Sequence, residues 1–194
     1  MTELFGLLSG LIILIGAPPY LFDIFKHKTK PQRTTWLIWS VLGIIAFFSQ
    51  LKLGAHWSLV FVGLSGAGNL IVYGLSLKYG VGGWTKLDKL ALVIAAIGVA
   101  ASYLFRQPLI ALLGVVVADF SGTALTIRKT YLSPESETTI TWFTFGLAGI
   151  FTALAVGHLW LNLLLYPLYL IVTSYGLLIA KYASLAIRRR PTSS

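Results

Sequence analysis

Seven long apolar runs, separated by short turns that carry Gly, Pro or charge, constrain the fold of this chain most strongly. A helix needs about 20 mostly apolar residues to cross a bilayer. Of the 194 residues, 57% are hydrophobic and 11% are charged, whereas soluble domains carry about 25% charged residues. Lipid is therefore the expected solvent. The runs predict membrane spans at 4–25, 34–51, 55–77, 88–105, 107–127, 138–156 and 158–182.

These runs predict an all-α polytopic membrane protein, because a helix satisfies its own backbone hydrogen bonds in lipid. Runs such as "LALVIAAIGVAA" lack the period-two alternation of a β-barrel. The chain has no Cys, which excludes disulfides and thiolate metal sites. The basic residues that give the net charge of +9 lie between the apolar runs. We therefore interpret them as determinants of membrane topology and expect no nucleic-acid partner.

The distribution of basic residues predicts the orientation. If the N-terminus lies outside, only Lys52 and Arg106 of the 15 Lys and Arg residues face outward. Because cytoplasmic loops carry the excess of Lys and Arg, this predicts an outer N-terminus and a cytoplasmic C-terminus. The basic tail, residues 185–194, is then a topology anchor near anionic lipid, or alternatively a partner-binding segment.

Two stretches of the chain resemble each other at a spacing of 103 residues. They read "KTKPQRTTWLIW" and "YLSPESETTITW". The spacing predicts two parallel three-helix repeats joined by one linker helix, a 3-1-3 arrangement known among transporters. The expected segments are 1–79 for the first repeat, 80–106 for the linker helix and 107–184 for the second repeat. The equivalent residues are Pro31 and Pro134, Thr35 and Thr138, Trp39 and Trp142, and Gly43 and Gly146.

The Pro-containing stretches have two interpretations. In the first they are helix starts, with Pro134 at the first helical position and Ser133 as the N-cap. In the second they form a gate at the cytoplasmic mouth, because one repeat offers basic residues where the other offers acidic ones. The predicted gate residues are Lys28, Arg33, Glu135 and Glu137.

Asp119 is the main candidate for chemistry inside the membrane, since it lies in the middle of an apolar run. A carboxylate at that depth costs about 2.5–3.5 kcal/mol on insertion scales, so it is expected to face the bundle interior. It either binds substrate or takes up a proton, or it is a structural carboxyl bonded to neighbouring hydroxyls.

Trp39 and Trp142 occupy equivalent positions and are expected either to sandwich a substrate ring or to belong to an interfacial aromatic belt. Pro18 and Pro19 interrupt the first run and Pro167 interrupts the last one. Because Pro lacks a backbone N–H, these positions are either hinges or static kinks.

The stretch "PYLFDIFKHKTK", residues 19–30, resembles the PQ-loop motif, with Pro19-Tyr20 in place of Pro-Gln. The literal Pro31-Gln32 pair follows a full loop later. The 3-1-3 pattern is similar to the PQ-loop/MtN3 superfamily, which includes SWEET sugar transporters, lysosomal amino-acid exporters and the KDEL receptor. More closely, the sequence resembles a group of bacterial seven-helix proteins, which implies a bacterial inner membrane. The resemblance also implies that Asn69 binds substrate together with a Trp; the alternative for Asn69 is an interhelical hydrogen bond.

The sequence thus favours a transporter that moves a small polar solute (a sugar, an amino acid or a vitamin) by alternating access. Transport is coupled to protons if Asp119 titrates, and is facilitated diffusion if it does not. The alternative is a receptor or interaction protein on the same fold. We expect no enzyme activity, cofactor or metal, because no nucleophile–base pair or ligand cluster is visible. The sequence is compatible with an oligomer but does not predict one.

Overall fold

In the computed structural model, residues 2–52, 57–105, 107–157 and 161–189 are described. Within these ranges the chain is all-helical, with seven α-helices and one short 3-10 turn at Pro134–Ser136. The helices are α1 Thr2–Phe25, α2 Arg33–Lys52, α3 Trp57–Tyr79, α4 Lys86–Leu104, α5 Pro108–Leu132, α6 Thr139–Ala155 and α7 Leu161–Arg188.

Length and composition make four of the described helical segments capable of crossing a bilayer. They are Thr2–Phe25, Lys86–Leu104, Leu109–Leu132 and Leu164–Arg188. Arg33–Ser49 and Thr139–Ala155 are apolar but shorter. The predicted all-helical class is therefore confirmed, and the apolar helices indicate a membrane protein.

The surface is apolar and much of the interior is polar. Large apolar side chains such as Leu7, Ile15 and Ile179 are exposed. The buried side chains include many hydroxyls, among them Ser9, Thr126, Thr130, Thr141 and Ser184. Such a distribution suits lipid, where apolar surface costs nothing and small hydroxyl residues allow helices to approach closely.

The expected helix start at Pro134 begins only a short 3-10 turn, and the membrane span predicted from residue 138 corresponds to α6. Pro134 begins the 3-10 turn, and the Ser133 side chain makes no capping bond. Helix α6 begins five residues later at Thr139. Glu137 lies in the extended segment between the turn and the helix. Because it does not belong to a helix, the direction of its side chain is not set by helix geometry.

The chain divides into two compact units, and helix α5 contributes to both. The first unit comprises residues 1–29 and 126–194, and the second comprises residues 30–125. The first unit therefore holds α1, α6, α7 and the end of α5, and the second holds α2, α3, α4 and the start of α5. Each unit thus combines the first helix of one expected sequence repeat with the second and third helices of the other.

In the first unit, α1 packs closely on α6. The backbone carbonyl of Gly16 accepts a hydrogen bond from the Thr141 hydroxyl, 2.8 Å away. A Cβ on Gly16 would collide with the Thr144 side chain. One end of the same interface is held by the Ser9 hydroxyl, which donates to the Ala148 carbonyl at 3.0 Å. Small residues and hydroxyls therefore set the distance between these two helices.

In the second unit, glycines set the contacts of α2 with α3 and of α4 with α5. A Cβ on Gly43 would lie 3.0 Å from the Cα of Gly66. Gly98 and Gly114 face each other so closely that a Cβ on either would collide with the carbonyl oxygen of the other. The apolar core beside these contacts consists of Ile38, Ala91, Ala95, Ala118 and Leu125.

The substitution Gly98→Ala is expected to destabilise the protein by about 1–3 kcal/mol, because the new methyl group forces two backbones apart. Gly74→Ala is the matched control, since a Cβ on this helical glycine would meet nothing within 4 Å. Alanine there should be neutral or slightly stabilising. Thermal unfolding of the purified variants in detergent measures the difference. Equal midpoints for the two variants would contradict the close packing of α4 on α5.

Candidate functional site

Asp119 lies near the middle of α5, about 17–20 Å along the helix from either end. Its side chain is buried. The Oδ1 atom accepts hydrogen bonds from the indole Nε1 of Trp39 at 3.0 Å and from the hydroxyl of Thr123 at 3.0 Å. Neutral donors from α2 and from the next turn of α5 therefore hold the carboxylate in the interior of the second unit.

Asn69 joins this arrangement from α3. Its amide Nδ2 donates to the backbone carbonyl of Trp39 at 3.2 Å. The ring of Trp36 packs edge-on against the ring of Trp39, with 4.9 Å between centroids. The structure thus brings together three of the four residues for which the sequence predicts substrate binding, namely Asp119, Asn69 and Trp39. Their role in binding stays a prediction.

The fourth residue, Trp142, lies in the first unit and also donates its indole N–H to a carboxylate. Its Nε1 is 2.7 Å from Oε2 of Glu137. Trp39 and Trp142 are equivalent in the expected repeat, yet their acceptors come from different places in the chain. The residue equivalent to Asp119 is Gly16, where α6 leaves no room for a side chain. The two units are therefore chemically different around their equivalent tryptophans.

The buried residue Glu137 contacts side chains from several helices of the first unit. Its Oε1 atom forms an ion pair with the ammonium of Lys129 on α5. The same oxygen accepts a hydrogen bond from the Tyr20 hydroxyl of α1 at 3.3 Å. On α7, the ammonium of Lys181 donates to the Glu137 backbone carbonyl at 2.5 Å and to the Thr139 hydroxyl at 2.9 Å. One residue thus holds groups from four helices.

The four predicted gate residues have different surroundings. Lys28 and Glu135 are exposed, whereas Glu137 is buried and paired with Lys129. Arg33 donates to the carbonyls of Ser76 and Leu77 in the last turn of α3, and to that of Gly82 just beyond it. A basic side chain at this place satisfies the terminal carbonyls and favours the negative end of the helix dipole. The gate itself stays a prediction.

Sequence reasoning missed Asp88, which is completely buried at the start of α4. Its carboxylate accepts hydrogen bonds from Gln32 at 3.0 Å and Thr34 at 2.8 Å. It also accepts from the backbone N–H groups of Gly83 and Thr85, and from the Thr85 hydroxyl. Thr85 and Asp88 have the spacing of a capping box, so the sequence could have indicated that Asp88 lies at the start of a helix.

Asp88 also explains the literal Pro31-Gln32 pair. Gln32 donates to Asp88 and forms a single parallel bridge with Val81. The carbonyl of Pro31 accepts from the Val81 N–H at 2.9 Å. The loop before α2 is thereby fixed to the loop before α4, in which the Trp84 side chain is largely exposed. The pair has a structural role in connecting loops.

Lys129, Lys181 and Tyr20 were also missed as site residues. In the sequence the two lysines contribute only to the topology prediction. Their pairing with Glu137 depends on contacts between helices that are distant in the chain, which no local pattern reveals. The predicted hinges Pro18 and Pro19 lie inside α1, and Pro167 lies inside α7. Their hinge role stays a prediction.

Among the described residues, no group of three or more His, Cys, Asp or Glu side chains is placed to hold a metal ion. The chain matches no protein-family model, no curated protein and no solved structure.

We expect Glu137→Gln to cost about 3–5 kcal/mol of stability, because it leaves the ammonium of Lys129 buried without its negative partner. Adding Lys129→Met should recover much of the loss, since the buried charge is then removed as well. Glu135→Gln is the matched control, because this acid lies two residues earlier and is exposed. Denaturation in detergent measures all three. A double variant no more stable than Glu137→Gln would contradict the assignment of the pair.

Proposed function

We propose that the protein is an integral membrane transporter for a small polar solute and is not an enzyme. The observation that carries the proposal is the buried carboxylate of Asp119 in the middle of α5, which accepts hydrogen bonds from Trp39 and Thr123. An ionisable group at such a depth is costly in an apolar helix and most often marks a substrate or ion pathway. Asn69 and Trp39 beside it supply further polar and aromatic contacts.

Alternating access between two three-helix repeats is the mechanism we infer. The resemblance of residues 19–30 to the PQ-loop motif and the repeat at a spacing of 103 support it. In this mechanism Asp119, Asn69 and Trp39 of the second unit contact the solute, and the predicted binding role of Trp142 belongs to the first unit. Pro19 and Pro167 supply the bending, since each lies within a helix and lacks a backbone donor.

For the orientation, we propose an outer N-terminus and a cytoplasmic C-terminus in a bacterial inner membrane. The ends of α5 then lie on opposite sides, with Gln107 outside and Ser133 inside. Because the natural chain has no Cys, each can be replaced singly by Cys and labelled in intact cells with an impermeant maleimide. Both side chains are exposed.

Gln107→Cys should react from outside, and Ser133→Cys should react only after the membrane is opened. The unmodified chain gives the background, since it holds no thiol. The reverse pattern would contradict the orientation, and labelling of both from outside would contradict a single crossing by α5.

The function is tested by uptake into proteoliposomes and by thermal stabilisation, with a panel of sugars, amino acids and nucleoside vitamins. We expect one class to be taken up and to stabilise the protein. Asp119→Asn should weaken its binding about 10- to 100-fold, as expected for loss of a hydrogen bond to a charged group. Ser121→Ala is the matched control, because this buried hydroxyl on the same helix bonds to the carbonyl of Ala118. It should leave uptake unchanged.

Four further outcomes separate the alternatives. Binding without uptake would contradict transport and favour a receptor on the same fold. Uptake that an inward proton gradient accelerates in the natural protein, but not in Asp119→Asn, would identify Asp119 as the proton-coupling site. Uptake that is indifferent to the gradient would indicate facilitated diffusion. Uptake that is equal in Asp119→Asn and Ser121→Ala would remove Asp119 from the mechanism.

A further inference from the structure

The surface charge of the second unit has one sign. Between residues 30 and 125 the sequence holds two acids, Asp88 and Asp119, and both side chains are buried. Its basic residues include four lysines with exposed side chains, which are Lys30, Lys78, Lys86 and Lys89. The surface of this unit therefore carries positive charge and has no carboxylate of its own to balance it.

These lysines lie at one end of the unit. Helix α3 ends at Tyr79 and α4 begins at Lys86, and the loop between them is bridged to the residues before α2 through Gln32 and Val81. The same loop carries Trp84, whose side chain is 79% exposed. An exposed indole and basic side chains at the end of an apolar helix are typical of the boundary between lipid headgroups and acyl chains.

Lys86 and Lys89 occupy the first turn of α4, where positive charge is unfavourable. They are three positions apart and are therefore neighbours on the helix surface, where like charges repel each other. The partial positive charge at the N-terminus of a helix adds to this repulsion. Neither ammonium has an acidic partner in the part of the chain that the structure describes. An anion bound at both ammonium groups would relieve the repulsion.

The lysine pair is continued along α4 by an exposed apolar stripe. Leu90, Val93 and Ile97 follow at helical spacing, and their side chains are 54%, 56% and 61% exposed. The opposite face of the helix is buried. From Lys89 to Ile97 the stripe is about 12 Å long, at about 1.5 Å per residue. A cationic end followed by an apolar stripe is complementary to an anionic phospholipid, in which a phosphate is joined to acyl chains.

We propose that the start of α4 binds an anionic phospholipid, with the phosphate at Lys86 and Lys89 and an acyl chain along the stripe of Leu90, Val93 and Ile97. The phospholipid supplies the negative charge that the surface of this unit lacks. A lysine binds phosphate as a point charge, so a zwitterionic phospholipid with the same phosphate but no net charge should bind more weakly. The inference requires a membrane protein but does not depend on transport.

The test compares two phospholipids with identical acyl chains, palmitoyl-oleoyl phosphatidylglycerol and palmitoyl-oleoyl phosphatidylcholine. Each is titrated into the full-length protein in a neutral detergent, and the bound lipid is counted by native mass spectrometry. We expect phosphatidylglycerol to bind about 25-fold more tightly, since each lysine near an anionic headgroup contributes about fivefold. The double variant Lys86→Gln/Lys89→Gln should lose most of this preference.

Two further variants separate a site from general attraction by the net charge. Lys26→Gln/Arg128→Gln is the matched control, because it removes the same charge from exposed positions of the first unit. It should leave the preference unchanged. Lys86→Arg/Lys89→Arg keeps the charge at the start of α4 and should also retain the preference.

Trp84 serves to locate the bound lipid, because it lies two residues before Lys86. The emission of the natural protein minus that of Trp84→Phe is the fluorescence of this indole. Phosphatidylglycerol with brominated acyl chains should quench it more strongly than brominated phosphatidylcholine at the same concentration. The difference should disappear in Lys86→Gln/Lys89→Gln.

Equal binding of the two phospholipids would overturn the inference, and so would a preference that survives in Lys86→Gln/Lys89→Gln. An equal loss of preference in that variant and in Lys26→Gln/Arg128→Gln would also overturn it, because net charge would then account for the binding. Displacement of phosphatidylglycerol by inorganic phosphate would assign the two lysines to a soluble anion and would exclude the phospholipid as their ligand.

Discussion

An ionised carboxylate can be kept inside an apolar bundle only where donors converge on it, and each unit of this protein is organised around that requirement. In the first unit, Glu137 draws Tyr20, Lys129 and Trp142 to its side chain and Lys181 to its backbone. Because lipid provides no hydrophobic driving force between helices, such polar contacts and close backbone approach help to determine which helices associate.

The same requirement is met differently in the second unit, where the two carboxylates lie at different depths. Asp88 at the beginning of α4 is bound by its own capping box, by the backbone of Gly83, by Gln32 just before α2 and by Thr34 within it. Asp119 in mid-helix accepts hydrogen bonds from side chains that include an indole and a hydroxyl. A carboxylate with five donors, two of them backbone N–H groups, suits a fixed structural joint, whereas one bonded to side chains in mid-helix can exchange a donor for a ligand. Position along the helix thus separates a structural acid from a candidate functional one.

Much of the helical fold could be read from the sequence, because apolar runs of about 20 residues leave few other solutions. The depth of Asp119 also follows from its place in such a run. The grouping of α1 with α6 and α7 could not be read, since it depends on small-residue contacts such as Gly16 against Thr144. The pairing of Lys129 with Glu137 could not be predicted from the sequence either. Local rules favoured a helix start at Pro134, which would have placed Glu137 on the surface of a helix.

The joint between the loops before α2 and α4 has a consequence for how the protein is seated in the bilayer. Gln32, Val81 and Asp88 hold this connection in one conformation, with the indole of Trp84 exposed. Tryptophan side chains partition to the boundary between headgroups and acyl chains, and such anchors help to set helix tilt and immersion. An exposed indole on a loop held in this way favours one depth of immersion for the start of α4, which begins two residues later.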